Sequence, residues 1–463
     1  MKRSMWVAGL CTLAIVAAAC GRSDTTSVGT SSSTTSTTAA SGVNSAAFGT
    51  AKAVCTSGKP SGSPAQGVTP SEIRIGTMAD PGFVARPGLD QELFDAATVF
   101  SKWCNDAGGI NGRKITVDLL DSALTNVKSK MTEACAQDFM LVGGGAVFDQ
   151  DGVKTRLECL LPEISGYSVS TEAAGADLLV QPVPNSTTTL AIGDYRYLAR
   201  KFPAATKAYG NLTGDLSTTK LVAQKGDEAV RSLGWTNVYD DQYPAAGAAD
   251  WTPYAQGIKD KGVKGLLWTG EPENLAKLML ALNDIGYQLD FVRADTNHYD
   301  PKLTDTGGAA VKNVYIRTLF TPFEDAKSNP ATQQYLDLFA KYLPNGKAKA
   351  QLGLQAWSAW LLFATAADEC GNTLTRKCVY DHAKKISSWT GGGVHAETNP
   401  ASGKSSTCGT ELVASPSGFK LVPDLKPNQG IFWCDPKNLY SLKGSYGKGI
   451  TLQDVGKSIA DLK

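Results

Sequence analysis

Apolar and polar residues alternate through Glu72-Ile73-Arg74-Ile75-Gly76-Thr77-Met78, which predicts a strand. From Leu89 to Ala107 the period changes. Leu93, Ala97, Phe100 and Cys104 recur at helical spacing, and Gly108-Gly109 supplies the stop. The same reading gives strands at Lys114–Leu120, Phe139–Val142 and Glu163–Ser168, with helices at Val127–Asp138 and Gly152–Leu161. A second series opens after Asn185, with strands near Lys207–Asn211, Asn237–Gln242, Gly265–Thr269 and Asp290–Ala294 and helices between them. Strands that alternate with helices predict an α/β protein of parallel, doubly wound units. Trp357 and Trp360 share helical spacing with Leu354 and Leu361, a pattern that assigns them to the core.

The amino end follows another rule. Lys2 and Arg3 precede an apolar run that ends in small residues, which reads as a secretory signal over residues 1–19, too short to span a bilayer. Ala17-Ala18-Ala19-Cys20-Gly21 resembles a bacterial lipobox, with Ala17 where leucine is usual. The reading is a lipid thioether on Cys20; the alternative is ordinary cleavage and a free Cys20. Residues 20–69, with SVGTSSSTTSTTAASG, hold few large apolar side chains and are expected to form a disordered tether.

Composition narrows the chemistry. The 463 residues are 42% hydrophobic and 19% charged with formal net charge +1, so no nucleic acid or other polyanion is implied as a partner. Of ten cysteines, Cys11 lies in the signal and Cys20 at its end. Eight remain, an even number that favours disulfides in an exported chain. There is no CxxC, and His298, His382 and His395 show no ligand spacing, so neither a metal nor a cofactor is expected. Cys370 and Cys378 bracket a short turn, and Cys408 and Cys434 flank a strand pair. Cys135 and Cys159 fall on helices that right-handed crossovers place on one sheet face, which leaves Cys55 for Cys104.

The stretch from Glu72 to Asp121 carries a more specific signal. Ile75-Gly76, then Asn105, Gly108-Gly109-Ile110-Asn111-Gly112-Arg113 and Asp121, resembles the amino end of type I periplasmic binding proteins, the branched-chain amino-acid-binding family of ABC importers. Trp268-Thr269-Gly270-Glu271-Pro272-Glu273 is similar to a later strand end of that family. The resemblance implies two doubly wound lobes joined by three crossovers, near Pro182–Asn185, Tyr315–Pro322 and within Gly391–Cys408. Lobe 1 is expected to comprise 70–185 with 320–395, lobe 2 to comprise 186–319 with 396–440, and 441–463 to form an extension. It also implies a small-molecule ligand in the cleft, an ABC permease as partner, a monomer, and a place on the outer face of the cell membrane.

The strand ends name candidate ligand contacts. Gly144, Gly145 and Ala146, between a strand and a helix, could offer bare amides to an anion; no Lys-Ser/Thr pair follows, so a nucleotide loop is excluded. The resembling family binds a ligand carboxylate there with serines that this chain lacks. Gly166-Tyr167-Ser168-Val169-Ser170 departs from a nucleophile elbow at Ser170. Tyr167 and Ser168 are then ligand contacts or plain turn residues. Asp215 stands in a loop where the family often has an aromatic lid. Glu271 and Asp295 end successive strands, and Asp295 corresponds to a family acid that meets a ligand ammonium; the alternative is a helix cap. Phe83 could cover the ligand or pack on the surface. Three functions follow: delivery of a solute to a permease, sensing by the same fold, or catalysis. No triad or metal set supports the last.

Overall fold

The computed structural model describes residues 47–463. Its first sheet has five parallel strands, β1 (Glu72–Ala79), β2 (Lys114–Asp121), β3 (Met140–Val142), β4 (Glu163–Ile164) and β5 (Leu179–Val180), in the order β2-β1-β3-β4-β5. After the short β6 (Thr189–Ala191), a second sheet begins with β7 (Tyr209–Gly214), β8 (Asn237–Tyr243), β9 (Gly265–Thr269), β10 (Phe291–Ala294) and β11 (Val314–Thr318). These five run parallel in the order β8-β7-β9-β10-β11, the same winding as the first sheet. An antiparallel hairpin, β12 (Thr410–Ser415) and β13 (Gly418–Leu421), extends it. The fold is thus the type I arrangement of two doubly wound α/β lobes.

Twelve helices cover the sheets among the described residues. They are α1 (Gln91–Asp106), α2 (Val127–Gln137), α3 (Gln150–Glu158), α4 (Thr171–Ala174), α5 (Gly193–Lys201), α6 (Ser217–Ser232), α7 (Thr252–Asp260), α8 (Pro272–Asp284), α9 (Pro301–Gly307), α10 (Pro330–Tyr342), α11 (Gln351–Cys370) and α12 (Arg376–Lys385). The helices α10 to α12 follow β11 in sequence yet pack on the first lobe, so the chain changes lobe at about residues 181–188, 319–329 and 386–409. The reason lies in the middle of α11, where every residue from Trp357 to Ala364 is buried. Trp357 and Trp360 are fully buried, and Phe100 of α1 packs on both rings. A helix of that kind folds only where it is covered all round.

The turn at 105–113 closes α1 onto β2. The Asn105 side chain donates to the Ile115 carbonyl at 2.8 Å and accepts from the Ile115 amide at 2.7 Å, pinning the strand start to the helix end. Gly109 has φ +86°, and a Cβ there would fall 2.1 Å from the Arg113 carbonyl oxygen, so glycine is required. Arg113, fully buried, donates to the carbonyls of Thr69, Gly371 and Ser61.

Two segments differ from the expectation. Residues 47–69, assigned to the tether, are anchored to the fold at Phe48, Val54, Cys55 and Val68, with much of the rest exposed. Phe48 is buried against Trp103 and Trp357, the Thr50 amide donates to the Gly392 carbonyl at 2.8 Å, and Cys55 is bonded to Cys104. A few anchoring side chains in polar surroundings hold this stretch, which average composition hides. The signal, Cys20 and the Ser/Thr run lie outside the described residues. The carboxyl end is more than an appendage. β14 (Leu439–Ser441) pairs with β6, the amides of Lys443 and Gly444 donate to Glu228 of α6, and the chain then crosses to the first lobe. There Leu452 and Leu462 are buried with Val153, Leu157 and Leu178. The other cysteines pair as Cys135–Cys159, Cys370–Cys378 and Cys408–Cys434. No helix among the described residues is long and apolar enough to cross a membrane.

Candidate functional site

The carboxyl ends of both sheets meet over a cavity of about 320 Å³. The first lobe contributes Asp90, Tyr167, Ser168 and Val169 with Gln351, Leu352 and Gln355 of α11; the second contributes Thr218, Val222, Arg293 and Asp295. Crossover residues Val183, Asn185, Leu319, Ser405 and Ser406 form the wall along the hinge. An outer space of about 520 Å³ borders it, lined by Phe83, Arg86, Asp215, Glu271 and Glu273, and shares Val147, Thr219, Gly270 and Glu271 with it. Ligands of α/β sheets bind at such strand ends, at the point where the winding reverses.

The glycine loop does not open onto the main cavity. The Gly145 amide donates to the Met78 carbonyl at 3.0 Å, and the Gly144 carbonyl accepts from the Gly166 amide at 2.8 Å. A Cβ on Gly145 would fall 2.5 Å from the Tyr167 ring, and Ala146 is buried. The next amide, Val147, donates at 2.9 Å to Asp80, a buried carboxylate that also accepts from the Leu124 amide and the Ser122 hydroxyl. The chain's own acid thus takes the amide that follows the expected ones, and the glycines serve close packing. Tyr167 and Ser168, by contrast, face the cavity. The Tyr167 hydroxyl donates to Asp90 at 2.6 Å. Burial, with Glu92 nearby, pushes the Asp90 carboxyl up to about 8, and burial raises the Tyr167 phenol as well.

The two candidate acids have partners. Glu271 lies 2.6 Å from Arg86, whose guanidinium also holds Glu273. Burial opposes the charge on Arg86, but the two glutamates outweigh it and raise its pKa. Burial raises Glu271, and Arg86 opposes that shift. Arg86 stands in the loop after β1, so this triad bridges the lobes. Asp295 is bonded to Arg293, which reaches Asp194 at 2.7 Å. Asp295 starts a short 3₁₀ turn without a side-chain capping bond, so it is neither a cap nor an unpaired acid. Asp215 accepts from the Ala245 amide at 2.9 Å, and it and Phe83 line only the outer space. Two further bridges join the lobes: Lys347 spans Glu92 at 2.8 Å and Asp300 at 2.7 Å, and Gln351 bonds the Thr296 hydroxyl.

Sequence reasoning missed Arg86, Arg293, Arg317 and Gln351. A signal existed for Arg317, a cation inside the apolar run VYIRTLF, and for Arg86, between two prolines after the first strand. Cys370, Cys378 and His382 cluster closely enough for a metal, yet both sulfurs are joined to each other and offer no thiolate.

A family model described as periplasmic binding protein matches residues 72–410. No curated protein matches the chain. Among solved structures, a fatty acid ABC transporter substrate-binding protein from Thermomonospora curvata is similar at TM-score 0.64 and 17% identity, over 77% of this chain and 93% of its own. A branched-chain amino acid ABC transporter protein from Thermus thermophilus with bound valine gives TM-score 0.64 and 16% identity, over 76% and 95%. A possible leucine/isoleucine/valine-binding protein from Rhodopirellula baltica gives 0.65 and 11%, over 76% and 96%.

Proposed function

Since the chain belongs to the periplasmic binding protein family, we propose that it is a lipid-anchored solute-binding protein that traps a small amphipathic molecule between its lobes and delivers it to an ABC permease. The observation that carries this reading is the cavity at the hinge, walled by both lobes and by the crossovers, with Arg86 bridging its outer edge to Glu271 and Glu273. Its apolar residues, among them Val169, Val183, Leu190, Leu319 and Leu352, lie beside polar ones, which suits a ligand with a charged or polar head and an apolar body. Similar proteins are named for fatty acids and for branched-chain amino acids, molecules of that kind. The lobes rotate about the crossovers on binding. Mass spectrometry of the small molecule that copurifies with the chain identifies the ligand. Adding that molecule to stripped protein is expected to shrink the radius measured by small-angle scattering; an unchanged radius refutes closure.

Anchoring rests on the lipobox-like run and the Ser/Thr tether. Cys20→Ala is expected to move the protein from the membrane to the soluble fraction. Unaltered fractionation refutes the anchor.

A further inference from the structure

Arg317 lies in β11 and faces the hinge side of the cavity with Leu319, Ser405 and Ser406. Its guanidinium donates to the carbonyls of Ser406 and Cys408, and no ion pair engages it among the described residues. Arg293 beside it is matched by Asp194 and Asp295, and Arg86 at the outer edge by Glu271 and Glu273. Glu411, the partner of Arg317 across the strand ladder, makes no ion pair with it; burial raises the Glu411 pKa, and Asp194 adds to that effect. Burial lowers the Arg317 pKa, and Asp194 acts against that shift without reaching ion-pair distance. The site therefore holds a half-buried cation without an ion pair, while of the three acids that line the cavity Glu271 and Asp295 already carry arginines and Asp90 accepts from Tyr167.

We propose that the ligand of this cavity is a carboxylate whose head group docks on the Arg317 guanidinium, with an apolar chain along Leu319, Leu352 and Val183, and that the site requires no ammonium group. The inference rests on the solute-binding reading above and specifies its ligand class. The Nη2 group serves the two crossover carbonyls, which leaves Nη1 and Nε to donate to a carboxylate, and partial desolvation strengthens such charge-assisted bonds. An ammonium entering the cavity would instead compete with Arg86 or Arg293 for an acid already bonded.

Calorimetric titration of the full chain, with octanoate, methyl octanoate, octylamine and 2-aminooctanoate as probes, tests this. Octanoate is expected to bind, the ester and the amine to show no saturable binding, and the amino acid to bind no tighter than octanoate. Arg317→Gln is expected to weaken octanoate by about 30-fold or more. Arg317→Lys, which keeps the charge but not these two donors, is expected to fall between. Melts of both variants separate lost folding from lost binding, because Arg317 also ties down the Ser406–Cys408 crossover. Saturable octylamine binding, a ten-fold preference for 2-aminooctanoate, octanoate affinity unaffected by Arg317→Gln, or no octanoate binding each overturns the proposal. If a molecule from cell extract still fills the cavity in those cases, the solute-binding reading stands. If the extract yields none, that reading fails too.

Discussion

Arg86 shows how one side chain can set the state of a site. It is largely buried and joins Glu271 and Glu273 across the lobes, so its loss would strand two acids in a desolvated place. Arg86→Met is expected to cost about 3 kcal/mol in chemical denaturation. Adding Glu271→Gln should recover part of that, and strictly additive costs would mean the pair is not coupled. Asp90 makes a second residue-scale case. Burial lifts Asp90 and Asp138 to about 8 and Asp149 to about 7 in the folded chain. Unfolded, such groups titrate near 4. Between those values the unfolded chain has released protons that the folded chain still holds. Stability is therefore greatest below about pH 4 on account of these groups, and falls as pH rises toward about 8. Asp90→Asn keeps the shape beside Tyr167 and removes one titration, so its melting temperature should decline less steeply from pH 5 to 8. An unchanged slope would place the carboxyl's titration elsewhere. Glu92, Glu271 and Asp80 surround Asp90 and contribute to its shift, so the variant changes their balance as well.

At the scale of elements, β1 to β4, β7 to β10 and the turn at 105–113 were legible because their causes are local: alternation, helical spacing, and glycines where φ is positive. The two-residue β5 was not, and β11 falls where a crossover was expected. The site was legible only in position. Tyr167, Ser168, Glu271 and Asp295 do border the cavity, but their partners did not follow from the sequence. Arg86 and Glu273 lie 187 residues apart, and nothing in either neighbourhood announces their pairing. The glycine loop misled for a similar reason, since Asp80 reaches its Val147 amide from another strand end. The segment at 47–69 was hidden by its low-complexity surroundings, although Phe48 and Cys55 anchor it. Breaking that anchor with Cys55→Ala and Cys104→Ala together is expected to lower stability by about 2–4 kcal/mol. Limited proteolysis should then cut within 56–66 before the rest of the fold, and resistance there would show that Phe48 suffices.

For the whole molecule, the carboxyl-terminal run adds a link between lobes beyond the three crossovers. Its grip on the second lobe centres on Glu228, which accepts from the Lys443 amide at 2.7 Å, the Gly444 amide at 2.9 Å and the Tyr446 hydroxyl at 2.6 Å. Burial opposes ionisation of this carboxyl, but these donors prevail and hold it down at about 2. Glu228→Ala is expected to speed amide exchange at 443–450 with little change in the global melt; unchanged exchange would move the grip elsewhere. The run then ends on the first lobe, where the Lys463 carbonyl accepts from the Lys377 amide at 3.0 Å. Residues 47–69 are held by that same lobe through Phe48 and the Cys55–Cys104 bond. Both ends of the folded body are thus fastened to one half of it. In mechanical terms a pull applied through the residues before 47 would load the first lobe directly and, along the chain, reach the second only through the crossovers and the carboxyl-terminal run.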